Sequence, residues 1–154
     1  MLVLRLLRLA GFLFLLGSIA GANAVRAQAI DNDRALIEAS AKGDLARVEK
    51  LLSAGAGTRA RDARGRTALL AATHGNHVGV ARRLIAAGAD VNAKDDIEDS
   101  TFLYAGAEGR VEILRMTLAA GADLRSTNRY GGTALIPAWW KNCCAATYPG
   151  EPVI

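Results

Sequence analysis

Disulfide chemistry is the first thing this sequence leaves out. Its 154 residues hold two cysteines, Cys143 and Cys144, adjacent and close to the end. They lack the two-residue spacer of a redox motif and have no histidine near them in sequence. A small exported fold stapled by disulfides shows spaced pairs instead, so this fold depends on packing. Histidine is as scarce: His74 and His77 stand three apart, with no cysteine or acid placed in the same stretch to complete a tetrahedral zinc site. No Gly-x-Ser-x-Gly elbow, phosphate loop, dinucleotide fingerprint or zinc signature occurs, and no nucleophile is paired with a base. Neither catalysis nor a cofactor or metal is therefore expected.

What is present begins with a three-part start. Arg5 and Arg8 form a basic opening, Leu9 to Ala20 a short apolar core, and Ala22-Asn23-Ala24 and Ala27-Gln28-Ala29 are two small-x-small sites. This is the layout of a cleavable secretion signal; the second site gives a signal over 1–29 and a mature chain from Ile30. The alternative is an uncleaved anchor, although a spanning helix needs about 20 apolar residues and this core is shorter. The arginines are not adjacent, against the twin-arginine route, and no cysteine follows the core to take a lipid. Export points to the periplasm, with no membrane contact once the signal is removed. Removal of 1–29 takes three arginines and no acid, so 19 basic residues become 16 against an unchanged 15 acidic ones. The precursor's excess positive charge is thus no argument for nucleic acid, which calls for a basic stripe on the folded domain.

The mature chain is organised by a repeat. Ala87-Gly88-Ala89-Asp90-Val91-Asn92-Ala93 has near-copies 33 residues to either side, at Ala54-Gly55-Ala56 and at Ala120-Gly121-Ala122-Asp123-Leu124. Written in rows of that length, repeats start near 34, 67 and 100, with a truncated fourth at 133. Each row holds two short apolar-periodic segments, such as Ala35, Leu36 and Ala39, then Leu45, Val48, Leu51 and Leu52, and this predicts two antiparallel helices. The break between them falls at Gly43, Asn76 and Gly109, residues that tolerate positive φ, and Gly55, Gly88 and Gly121 end the second helices.

These rows resemble the ankyrin repeat. Row two carries the likeness in Thr67-Ala68-Leu69-Leu70, Ala71-Ala72, Asn76-His77, Leu84-Ile85 and Gly88-Ala89-Asp90-Val91-Asn92. No row has proline second or histidine fourth, a departure from the family opening. The resemblance implies an all-α repeat solenoid, a stack of helix-turn-helix units with hairpin fingers, over 30–138. It also implies that His77 is a structural hydrogen-bonding residue. Asp99-Ser100-Thr101-Phe102-Leu103-Tyr104-Ala105-Gly106 and Tyr130-Gly131-Gly132-Thr133-Ala134-Leu135-Ile136-Pro137-Ala138 look like one branch of exported bacterial ankyrin proteins. At the first row, Arg34 replaces threonine, Asp31 to Asp33 are placed to cap the first helix, and Lys42, Asp44, Arg47, Glu49 and Lys50 to cover the outside of the stack.

The fingers implied between repeats alternate in charge. The first carries Arg59, Arg61, Arg64 and Arg66 around Asp62; the second Lys94 with Asp95, Asp96, Glu98 and Asp99; the third Arg125, Arg129 and Tyr130. Two readings follow. Neighbouring fingers pair with each other, or the fingers and the first-helix face bind a protein partner, with Arg64, Arg66, Asp95, Asp96, Glu98, Asp99, Tyr104, Arg129 and Tyr130 as its contacts. Calcium is disfavoured, because the acids lack EF-hand spacing. Glu98 stands where the neighbouring fingers have Gly65 and Gly131, so its turn is either strained or different.

Row four breaks off. Trp139-Trp140-Lys141-Asn142-Cys143-Cys144 and a proline-containing tail replace its second helix. Tryptophan has one codon, and reading from the third base of Trp139 gives Val, Glu, Lys or Glu, Leu, Leu, which is such a helix. The tail 139–154 is therefore either out of frame with a longer ancestor or a hydrophobic end plug. An uncapped apolar end invites self-association. Two functions stand: a non-catalytic exported protein that binds another protein, or a truncated, degenerate product with no function of its own.

Overall fold

The computed structural model describes residues 27–134. Among these residues six helices follow one another: α1, helical through 27–42, α2 (Leu45–Ser53), α3 (Ala68–His74), α4 (Val78–Ala86), α5 (Thr101–Ala107) and α6 (Val111–Ala119). Among the described residues there is no strand. The fold is an all-α repeat solenoid of helix pairs α1/α2, α3/α4 and α5/α6. The expected signal, apart from residues 27–29, the last residues of the repeat domain, 135–138, and the tail 139–154 lie outside the described residues.

Local chemistry sets the element boundaries. The hydroxyls of Thr67 and Ser100 accept from the amides of Leu70 (3.3 Å) and Leu103 (3.2 Å), capping α3 and α5. Asp44 does the same for α2 through the Arg47 amide at 3.0 Å. A side-chain cap thus opens these helices although the family's proline and histidine are missing. Asn76 breaks the second pair at φ 55°, matching the two glycines at the same row position. At the far end of each pair one closing bond recurs: the amides of Ala56, Ala89 and Ala122 donate to the carbonyls of Leu51, Leu84 and Thr117, each at 3.0 Å.

The first helix corrects one expectation. Asp31 to Asp33 do not cap it, because the helix runs straight through them. The Asp33 carboxylate instead accepts from the Gly57 amide, joining the first helix to the chain beyond α2.

Stacking is regular: α3 packs on α5, α2 on α4 and α4 on α6. Leu36, Val48, Leu69, Ala72, Ala81, Leu84, Ala105 and Ile113 form one buried core that runs through all three pairs. No pair buries its apolar face alone, so each helix pair depends on its neighbours for stability. Cutting Leu84, which is wholly buried, to alanine is expected to cost about 2–5 kcal/mol. A smaller cluster of Phe102, Leu103 and Ala134 seats the start of row four on α5, where Gly106 leaves room for the Ala134 backbone.

Candidate partner-binding surface

Each finger is built on one residue at the same row position. Oδ1 of Asp62 accepts from the amides of Arg64 and Arg66 (both 2.9 Å), Oδ1 of Asp95 from Ile97 (3.1 Å) and Asp99 (2.9 Å), and Oδ1 of Asn128 from Tyr130 (3.0 Å) and Gly132 (2.9 Å). A backbone bond closes each turn across the same five residues, as from Asp62 N–H to the Arg66 carbonyl at 3.0 Å. Asp95, expected from the sequence as a partner contact, has this shared scaffold role instead, and its sequence signal is the acid or amide recurring at 62, 95 and 128.

The second turn is strained and not different. Glu98 takes φ 63°, beside 71° at Gly65 and 72° at Gly131, so a side chain occupies the left-handed region that both neighbours give to glycine.

Between fingers the cations meet carbonyl oxygens, not carboxylates. Arg61 donates to the Lys94 carbonyl, Lys94 Nζ to the Thr127 carbonyl at 2.8 Å, and Arg129 to the Asp96 carbonyl. Asn128 Nδ2 donates to the Asp99 carboxylate at 3.0 Å. Among the described residues no ion pair joins one finger to the next, contrary to the expectation that their charges pair. The one finger ion pair is internal, Arg66 on Asp62 at 2.7 Å. Burial opposes ionisation of Asp62, but the hydrogen bonds from the Arg66 side chain and from the Arg66 and Arg64 amides prevail. Its carboxyl is held below the usual range.

These bonds sort the nine contact candidates. Arg66, Asp95, Asp99 and Arg129 are engaged within the finger scaffold, and Tyr104 stacks on His74 with ring centroids 3.7 Å apart. Arg64, Asp96, Glu98 and Tyr130 are exposed at the finger tips, Tyr130 at 78%. The Asp96 amide donates to the Arg64 carbonyl (3.2 Å) and the Arg129 amide to the Ile97 carbonyl (3.2 Å), so the three tips form a continuous row.

The His74 and Tyr104 rings bridge α3 and α5. Burial, and then the nearby Arg66 charge, push the His74 pKa down; Asp95, Asp99 and Glu108 act against this. Burial, followed by Glu108, pushes the Tyr104 hydroxyl up. His77 has the structural place implied for it: Nε2 lies 3.1 Å from the Ala41 carbonyl, so that nitrogen carries the proton, and its ring fills the space over Gly43 and Gly75. Asn92 ties the second pair to the third, donating to the Gly121 carbonyl (3.2 Å) and accepting from the Asp123 amide (2.8 Å). Among the described residues no group of three or more His, Cys, Asp or Glu is placed to hold a metal ion. No helix among them is long and apolar enough to cross a membrane.

Comparison with known proteins agrees with this geometry. A family model described as ankyrin repeats (3 copies) matches residues 9–95 and 36–128. The crystal structure of an ankyrin repeat domain from Acinetobacter baumannii is similar, with 57% sequence identity and a TM-score of 0.63, over 66% of this chain and 52% of that one. The chain thus spans about half the length of that solved relative. No protein of curated function matches.

Proposed function

The chain belongs to the ankyrin-repeat family, whose repeats generally serve as protein-interaction modules, and from that premise we propose that it is a non-catalytic adaptor that binds a protein partner through its finger tips and concave helix face. The observation that carries this reading is the division of labour in the fingers. Their scaffold polar groups are bonded internally or to the next finger, while the heads of Arg64, Asp96, Glu98 and Tyr130 stand in one exposed row. Exposed arginine and tyrosine on a rigid support are the residue types that dominate protein interfaces. The alternating charge of the row, basic then acidic then aromatic, would select a partner by complementarity and set its register. The three-part start supports export of this module to the periplasm.

Affinity capture from a periplasmic extract tests the reading. A partner retained by the wild-type chain should be lost, or its retention weakened at least about tenfold, when Asp96→Lys and Glu98→Lys are introduced together. Unchanged capture by that variant would remove the second finger from the surface. Replacement of the signal's apolar core by polar residues should leave the chain in the cytoplasm; unaltered export would overturn the assignment of the start.

A further inference from the structure

We propose that the outer face of α6, open among the described residues, is a self-association surface, which pairs with the same face of a second copy of the chain. This goes beyond the finger-tip reading and uses none of its residues. Three positions of the repeat carry the inference. Val78 and Ile85 of α4 are packed against the core and Val91 beyond it is 4% exposed. Their counterparts 33 residues on are open: Val111 at 53%, Leu118 at 44% and Leu124 at 65%. The surface continues the interface by which α2 packs on α4 and α4 on α6.

The other end of the stack does not offer a complementary face. Arg47 and Lys50 are exposed on α2, whereas Glu49 turns towards α4, 4.0 Å from Arg83; Arg34 is exposed on α1, where it pairs with Glu38 at 3.5 Å. Head-to-tail stacking would bury these charges against Leu118 and Leu124, so pairing of like faces is favoured. Charge on α6 suits that arrangement. Val111 and Leu118 are two turns apart and share a face. An antiparallel pair centred between Leu114 and Arg115 sets Val111 against Leu118 of the second copy. It also brings Glu112 within a turn of Arg115 of the second copy, twice by symmetry. Both residues are exposed, and neither belongs to an ion pair among the described residues.

Sedimentation equilibrium of the purified full chain across a wide concentration range tests this. The expected result is a mass that rises with concentration to that of two chains. Leu118→Glu should hold it at one chain with cooperative unfolding retained. As a second test, Glu112→Arg and Arg115→Glu should each raise the dissociation constant about tenfold, and the double reversal should restore it. A single-chain mass at every concentration would overturn the proposal and leave residues 135–154 or a different protein to cover α6. A dimer indifferent to all of these substitutions would overturn it equally, by placing the contact elsewhere.

Discussion

At Glu98 the chain makes a local choice against its own repeat, and unlike the asparagine at 76 a glutamate is poorly suited to the left-handed region. A non-glycine residue in the left-handed region costs roughly 1 kcal/mol, and the adjacent fingers avoid that cost with Gly65 and Gly131. Glu98→Gly should therefore stabilise the fold by about 1 kcal/mol in urea unfolding; an equal loss would show that the carboxylate has a structural role. A second residue-scale prediction concerns His74, whose pKa is held down in the folded state by burial and by Arg66. The unfolded chain takes up this proton near pH 6.5 while the folded one resists, so stability should fall as pH drops below about 6.5. His74→Phe keeps a ring against Tyr104 and should flatten that slope, measured as urea midpoints at neutral and mildly acidic pH. The sequence posed the Glu98 question, since the missing glycine is visible in the 33-residue register, but it could not choose strain over another turn. That choice depends on Asp95, whose carboxylate holds the amides of Ile97 and Asp99 on either side.

Among elements, the helices were legible and the bonds between repeats were not. The apolar spacing of Leu36, Val48 and Leu84 encodes burial directly, and Gly43, Asn76 and Gly109 encode the breaks, because both are short-range demands of the backbone. Charge pairing between fingers was read wrongly because long cations find backbone carbonyls within reach before they find carboxylates, a matter of distance that no spacing records. The same holds for α1, where Asp33 at an apparent cap position reaches Gly57 instead. Two substitutions test the finger and repeat bonds. Asp62→Asn keeps the acceptor that Asn128 supplies in the third finger, so it should cost under about 1 kcal/mol, whereas Asp62→Ala leaves two amides unheld and should cost about 1–3 kcal/mol. Asn92→Ala removes both bonds to Gly121 and Asp123, and should speed hydrogen exchange in α5 and α6 more than in α1 and α2.

For the whole molecule, stability is distributed along a line. The middle pair α3/α4 has neighbours on both sides, and α5/α6 leaves Leu118 and Leu124 exposed among the described residues. A stack of this kind unravels from its weaker end. This separates a functional interaction module from a degenerate remnant, since the module needs the finger tips between 59 and 130 held in one rigid row. The proposed export, the choice of partner and the tail 139–154 depend on segments and surfaces that packing does not dictate, which is why the repeat pattern is silent about them. Native-state hydrogen exchange on the purified chain tests the central claim most directly. At concentrations where the chain is single, the account predicts strong, cooperative protection with the slowest amides in α3 and α4, intermediate protection in α1 and α2, and the fastest exchange of helical amides in α6, which pairing of two copies at higher concentration would slow. Uniformly fast exchange through all six helices, together with binding of a dye specific for exposed apolar surface, would contradict it and identify the chain as a collapsed remnant.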